Sequence, residues 1–187
     1  MTQEERECLE RFRRGEPGAF DDLYAQYGPR IYRFCLRLCG GAVADAEDLT
    51  QEVFLAAHGS LHRFEGRSSL STYLYRISIY CRRQARSRAG DPQRICRGDE
   101  EHGAATPASH AGGEDPARTA LARLTLTAAL DRLSEAQRTA FLLVKAEGFT
   151  CREAAEALDL PVGTVKYQVF EAVARLRTLL EEAGYAV

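Results

Sequence analysis

Residues 149–180, FTCREAAEALDLPVGTVKYQVFEAVARLRTLL, decide the fold. Thr150 precedes Glu153 by three positions, so hydroxyl and carboxylate can each satisfy the other's backbone N–H and start a helix at Cys151. Ala154, Ala155 and Leu158 give that helix a small apolar face. Asp159-Leu160-Pro161-Val162-Gly163 then breaks it, because proline cannot continue the hydrogen-bond ladder and glycine frees the turn. From Thr164 onward Val165, Val169, Ala172, Val173, Leu176 and Leu180 recur at helical spacing, which leaves Thr164, Lys166, Tyr167, Gln168, Glu171 and Arg175 outward or flanking. Two helices joined by a tight turn form the helix-turn-helix pattern, whose second helix offers its N-terminal side chains to the major groove of DNA. Spacing alone also admits an ordinary helical hairpin.

Upstream of this stretch, Ser134 and Gln137 repeat the capping pattern and open a helix that carries Phe141 and Val144 and ends at Gly148. Another helix is expected from about Ala117, with Leu121, Leu124, Ala128 and Leu130 on its apolar side. Residues 90–116 are rich in Gly, Ala, Ser, Pro, Asp and Glu, and Ile95 is almost the sole large apolar side chain among them. Such a segment cannot build a core and reads as a flexible linker. The sequence therefore divides into 1–89, a linker over 90–116, and 117–187: an all-α chain of two small helical domains.

The first domain opens on a capping pattern at Thr2 and Glu5, with Cys8, Leu9 and Phe12 on one side of the helix it starts. Pro17 suits the first turn of a second helix with Phe20, Leu23, Tyr24 and Tyr27 inward, closed by Gly28-Pro29. A third carries Ile31, Phe34, Cys35, Leu38 and Cys39 and ends at Gly40-Gly41. Asp45 can cap the next, whose inward positions are Leu49, Val53 and Ala57 with Phe54 beside them. Its other side holds Asp45, Glu47, Asp48, Gln51 and Glu52, either a solvated face well placed against the helix dipole or a dock for a basic partner. After a loop at Phe64 to Ser69, a helix from about Leu70 to Arg88 turns Leu70, Tyr73, Leu74, Ile77 and Cys81 inward. Tyr75, Arg76, Tyr80, Arg82, Arg83, Arg86 and Arg88 fill its remaining surface, with no acid between Leu70 and Ala89. Arginines interleaved with tyrosines suit phosphate neutralisation and base stacking on single-stranded or melted nucleic acid; the alternative is an acidic protein partner.

With 187 residues, 45 % of them hydrophobic, and a net charge of −2, nucleic-acid affinity has to come from local rather than bulk charge. No apolar run approaches the roughly 18 residues of a membrane span, so no membrane insertion is expected. The charged start, MTQEERE, lacks the apolar core of a signal peptide, which points to the cytoplasm and reduced thiols. The six cysteines include no Cys-x-x-Cys pair and read as buried small hydrophobes. A metal site would need Cys96, His102 and His110 from the linker, so neither metal nor cofactor is expected. No phosphate-cradling glycine loop, nucleophile elbow or paired His/Glu motif offers catalytic residues.

With its parts in this order, the chain resembles bacterial sigma factors of the sigma-70 family, in the extracytoplasmic-function (ECF) group that keeps only regions 2 and 4. Three stretches carry the resemblance: Asp45-Ala-Glu-Asp-Leu-Thr-Gln-Glu-Val-Phe-Leu55, Phe64-Glu-Gly-Arg-Ser-Ser-Leu-Ser-Thr-Tyr-Leu-Tyr-Arg-Ile77, and Gly163-Thr-Val-Lys166. It implies promoter-specific initiation of transcription with core RNA polymerase, for a regulated or stress-response set of genes. Asp48, Gln51 and Glu52 would grip the beta-prime clamp helices, and the beta flap would be a second contact. Phe64, Ser68, Ser69, Tyr73, Arg76, Tyr80, Arg82 and Arg83 would open and hold the minus-ten element of promoter DNA. Thr164, Lys166, Tyr167, Gln168 and Arg175 would read the minus-thirty-five element. An anti-sigma factor is a further implied partner.

This chain departs from the family at six positions. Tyr73 stands where tryptophan is usual, and Tyr80 where asparagine is common. Tyr167 and Gln168 come after Lys166 where the family continues with serine and arginines, and Glu171 and Val173 extend the departure. The rival reading is a stand-alone helix-turn-helix regulator, which has no use for the acidic docking helix.

Overall fold

The computed structural model describes residues 2–88 and 125–184, and every regular element in them is helical. The linker expected over 90–116, with Cys96 and the helix start near Ala117, Leu121 and Leu124, lies outside the described residues.

The three capping patterns form as the sequence dictates. In α1 (Gln3–Arg13) the Thr2 side chain accepts from Glu5 N–H at 3.1 Å while Glu5 Oε2 accepts from Thr2 N–H at 2.7 Å. Glu5 is buried, and its other oxygen takes the Tyr27 hydroxyl at 2.8 Å, so the carboxylate is hydrogen-bonded where it leaves water. Burial, then this bond, push the Tyr27 phenol well above its usual pKa. The same box starts α6 (Glu135–Phe141) at Ser134 and α7 (Cys151–Leu158) at Thr150. At Thr150 the backbone N–H bond holds the Glu153 carboxyl below its ordinary value.

Where the sequence suggests two helices divided at Gly28-Pro29, a single helix runs, α2 (Ala19–Leu38), with Pro29 inside it. An interior proline costs about 3 kcal/mol. The buried run Leu23, Tyr27, Ile31, Phe34, Cys35 and Leu38 crosses the break and outweighs that cost, since each buried side chain returns about 1.5–3 kcal/mol. Helix α2 starts at Ala19 behind a left-handed Gly18, not at Pro17. Helix α3 (Val43–Ser60) starts before Asp45, which falls in its first turn rather than at the cap. After a 3-10 turn at Leu61–Arg63 comes α4 (Leu70–Arg88). Helix α5 is described over 125–131, and there Ala129 and Leu130 are buried while Ala128 is exposed. Helix α8 spans Val162–Glu182 and so begins two residues before Thr164; Val165, Val169, Ala172 and Leu176 are buried, but Val173 faces solvent.

Helices α1 to α4 pack around Leu23, Ile31, Phe34, Val53, Leu61, Leu70 and Leu74, and α5 to α8 around Leu142, Leu143, Ala154, Val165 and Ala172. The two halves also touch, with α7 lying against α4. Tyr75, assigned outward by periodicity, is fully buried there, whereas Tyr73 and Ile77, assigned inward, are half-buried. A second contact face on α4, formed by Phe34 of α2 and Phe149 of the other half, overrides the single-stripe pattern.

Cys35, Cys39 and Cys81 are buried, and burial pushes the Cys35 thiol up to about 11 and raises Cys81. The thiolate is the reactive form, so these three should resist a disulfide-exchange reagent at pH 8 until denaturant is added. Labelling of all of them in the native chain, read by mass spectrometry, would contradict the packing described.

Candidate functional site

Three surfaces hold the residues singled out by the sequence. On α3, Asp48, Gln51 and Glu52 keep the i, i+3, i+4 spacing of one helix face; Asp48 and Gln51 are exposed and Glu52 is half-buried. Beside them opens a groove of about 840 Å³ between α2 and α3, lined by Phe20, Tyr24, Tyr32, Phe54, Leu55 and His58 among others, with Glu47 and Gln51 also in its wall. Leu55 is 68 % exposed and Tyr24, expected inward, is 50 % exposed, although its ring still meets Phe54 at 4.7 Å. The acidic face therefore borders an apolar one. Sequence reading missed this, and the available signal was Leu55 one turn beyond Gln51 on a helix already lined by Val53 and Phe54.

Around α4 the structure separates residues that the sequence groups together. Phe64 is buried, stacks on Tyr73 with ring centroids 4.6 Å apart, and gives its carbonyl to Arg13. Ser69 caps α4: its Oγ accepts from Thr72 N–H at 3.0 Å. The Tyr73 hydroxyl donates to Ser60 Oγ at 2.7 Å. Ser68 is half-buried, and its hydroxyl donates to the Ser69 carbonyl at 3.3 Å. Phe64, Ser69 and Tyr73 therefore build the loop and the start of α4.

The solvent-facing row is Arg76, Tyr80 and Arg83, at i, i+4 and i+7, with Tyr80 60 % exposed and its oxygen accepting from Gln84 at 2.5 Å. Arg82 is half-buried. The arginines are less uncompensated than the sequence suggests. Arg86 pairs with Glu135 of the other half, and Arg88 lies 3.7 Å from Glu52.

On α8, Lys166, Tyr167 and Arg175 are exposed, while Thr164 and Gln168 are half-buried on a flank. The outward crest is aromatic: Tyr167 is 60 % and Phe170 69 % exposed, with Val173 beside them. Phe170 escaped the sequence reading because the apolar periodicity was satisfied without it. No group of three or more His, Cys, Asp or Glu able to hold a metal ion exists among the described residues.

The comparisons with known proteins divide the chain at the same place. The Sigma-70 region 2 family model matches residues 23–90, and the Sigma-70, region 4 model matches 123–176. The chain is 33 % identical, over a 196-residue alignment, to the RNA polymerase sigma-H factor of Pseudomonas aeruginosa, covering 98 % of this chain and all of that relative. The chain belongs to the sigma-70 family of RNA polymerase sigma factors. It falls in the ECF group, as does the ECF RNA polymerase sigma-E factor of Haemophilus influenzae, 29 % identical over 88 % of each chain. Among solved structures it is similar to the sigma factor RpoE of Bartonella quintana, crystallised with the anti-sigma factor NepR. That match has a TM-score of 0.66 and 28 % identity, over 88 % of this chain and 98 % of that one. This sigma factor thus carries its acidic α3 face and the Arg76–Tyr80–Arg83 row in region 2, and its aromatic α8 crest in region 4. No helix among its described residues is long and apolar enough to cross a membrane.

Loop anchor and exposed crest should separate in stability measurements. Phe64→Ala is expected to cost about 3–5 kcal/mol, as for other buried aromatics, and Phe170→Ala no more than about 0.5 kcal/mol. Urea unfolding of the two variants checks this, and equal losses would put Phe170 in a core.

Proposed function

We propose that α3 docks core RNA polymerase through Asp48, Gln51 and Glu52 together with the apolar rim of Leu55 and Tyr24. Region 2 spans about 1–89 and region 4 about 117–187, joined through 90–116. Acidic groups steer a basic partner surface, and the groove beside them supplies the apolar burial that gives a docked helix its residence time. An exposed acidic face continuous with an exposed apolar groove is the observation that carries this reading. A stand-alone DNA regulator has no use for such a face.

Once assembled, Arg76 and Arg83 neutralise phosphates of the opened minus-ten strand, and Tyr80 between them stacks on a base. Stacking tolerates any base, so the tyrosine at position 80 broadens minus-ten preference relative to an amide that hydrogen-bonds one edge. The chain supplies recognition only, and bond formation belongs to the polymerase. It works where the polymerase is, in the cytoplasm. The similarity to a sigma factor crystallised with an anti-sigma factor supports a regulator of that class acting on this chain, and with it a regulated set of genes.

Region 4 reads the minus-thirty-five duplex with α8 in the major groove. Gln168 and Glu171 stand where arginines are usual, so phosphate attraction is weak there, and the exposed aromatics carry the reading. An aromatic edge in the major groove finds its apolar partner in the thymine methyl. Tyr167 and Phe170 therefore favour thymines, with Thr164, Lys166 and Arg175 fixing the helix on the backbone.

Two experiments test these assignments. Reversing Asp48 and Glu52 together to lysine is expected to abolish holoenzyme assembly in a core-polymerase pull-down, with circular dichroism and melting temperature nearly unchanged. The reversal gives up only the exposed Glu52–Arg88 pair, worth at most about 1 kcal/mol. Retained assembly would sink the docking assignment. For region 4, replacing minus-thirty-five thymines by uracil deletes only the methyl groups. Open-complex formation by the wild type should fall about fourfold per contacted methyl, while the Phe170→Ala protein should show no further loss. Equal losses in both proteins would place the methyl contact on another residue.

A further inference from the structure

One side-chain network closes the joint between the halves: Glu147, delivered by a π-helical turn at Leu142–Ala146, sits in a notch formed by Arg30, Arg37 and Tyr75. A second network runs along the outer side of α4 and bears on what Tyr80 can read. Tyr80, Gln84 and Arg88 stand at i, i+4 and i+8, one above another on a single helix face. Gln84 Nε2 donates to the Tyr80 hydroxyl oxygen at 2.5 Å, and Arg88 Nη2 donates to Gln84 Oε1 at 3.0 Å. The other terminal nitrogen of the same guanidinium, Nη1, lies 3.7 Å from Glu52 Oε1 on α3. The row is thus held at its far end by a charge on a neighbouring helix.

The polarity of the row follows from what each group can do. A guanidinium only donates, so the Gln84 oxygen has to face Arg88 and the amide nitrogen has to face Tyr80. That nitrogen also only donates, so the Tyr80 oxygen accepts and its own hydrogen turns away from Gln84. A phenol oxygen holds one hydrogen and one good lone pair in the plane of its ring. Gln84 takes the lone pair, and the O–H is what remains for a partner. Tyr80 is 60 % exposed, so this donor faces outward. Bulk water blunts such an orientation, but a strand laid over the row excludes water and strengthens the bond it makes.

A base stacked on the Tyr80 ring lies above the ring plane, whereas the hydroxyl donates within that plane. The donor therefore meets the neighbouring nucleotide, not the stacked one. Guanine and thymine carry keto oxygens, O6 and O4, where adenine and cytosine carry the amino groups N6 and N4. An outward donor bonds the first pair and is opposed, hydrogen against hydrogen, by the second. We infer that Gln84 is a positioning residue for promoter reading: anchored through Arg88, it fixes Tyr80 as a hydrogen-bond donor and so selects a keto base, thymine or guanine, beside the base that stacks on the ring. The inference rests on the reading that Tyr80 meets the opened minus-ten strand. It refines that reading, since stacking tolerates any base while the hydroxyl admits two of the four.

Selection from a pool of randomised single-stranded DNA by holoenzyme, reconstituted from this chain and core RNA polymerase, tests the assignment. Sequencing of the bound strands gives the base preference at each position without a known promoter. The wild type should show a position at which keto bases exceed amino bases by about fivefold, the worth of one neutral hydrogen bond. Gln84→Glu is nearly isosteric and keeps the Arg88 contact, but it reverses the row. Its carboxylate only accepts, draws the Tyr80 hydrogen inward and leaves the oxygen lone pair outward, so the preference at that position should invert to amino bases. The added negative charge weakens phosphate attraction for every sequence alike and cancels in the ratio. Tyr80→Phe should remove the preference, and Arg88→Met, which frees the amide to turn over, should bring it close to parity. The inference is overturned by a wild type without a keto preference, or by one that survives Tyr80→Phe, Arg88→Met or Gln84→Glu. Loss of the preference in Gln84→Glu without a turn to amino bases overturns it as well. Tyr80→Ala separates this inference from the reading beneath it. Affinity and base profile unchanged in Tyr80→Ala would remove Tyr80 from the promoter altogether, whereas weakened binding there, beside a Gln84→Glu profile equal to wild type, would overturn the role of Gln84 alone.

Discussion

Removing a carboxylate from water is tolerable only if charge and hydrogen bonds replace what solvent supplied, and Glu147 is where this chain meets that demand between its halves. Both of its oxygens and its carbonyl are engaged by residues more than seventy positions away. The buried Tyr75 ring, the contact of α7 with α4 and the close approach of Asp131 to Gly40 lie along the same joint. The joint is mixed. Buried apolar side chains of the two halves form one continuous cluster in which the Tyr75 and Phe149 rings meet, and the Glu147 pairs lie beside that contact.

Much of the fold was legible because its signals are local. Three capping boxes, at Thr2, Ser134 and Thr150, mark helix starts to the residue, since the reciprocal hydrogen bonds need only four consecutive positions. Local rules fail where a distant surface decides. Pro29 reads as a helix end, yet the buried run on both sides of it carries α2 through. Tyr75 reads as outward because α4 has one obvious apolar stripe, yet its ring is closed in by Phe34 of α2 and by Phe149 of region 4.

The sites divide along the same line. Asp48, Gln51, Arg76, Tyr80, Arg83, Lys166 and Tyr167 were correctly placed on the surface, because helical period alone fixes which way they point. Phe64, Ser69 and Tyr73 are packed or hydrogen-bonded within the loop and the start of α4, an involvement that residue type alone does not reveal. Leu55 and Phe170 went unremarked for the opposite reason. An apolar residue on a helix is assumed to be core until the structure shows the core to be complete without it.

The wide turn at Leu142–Ala146 sets the aim of Glu147 and of the two helices beyond it. Such a turn is equivalent to one residue inserted into an α-helix, and removing one residue would rotate the downstream chain by about 100°. Glu147 would then leave its notch, while the buried residues of α7 and α8 would still have one another to pack against. Single-residue length changes in this turn would therefore re-aim the second half against the first without altering any exposed side chain on α3, α4 or α8.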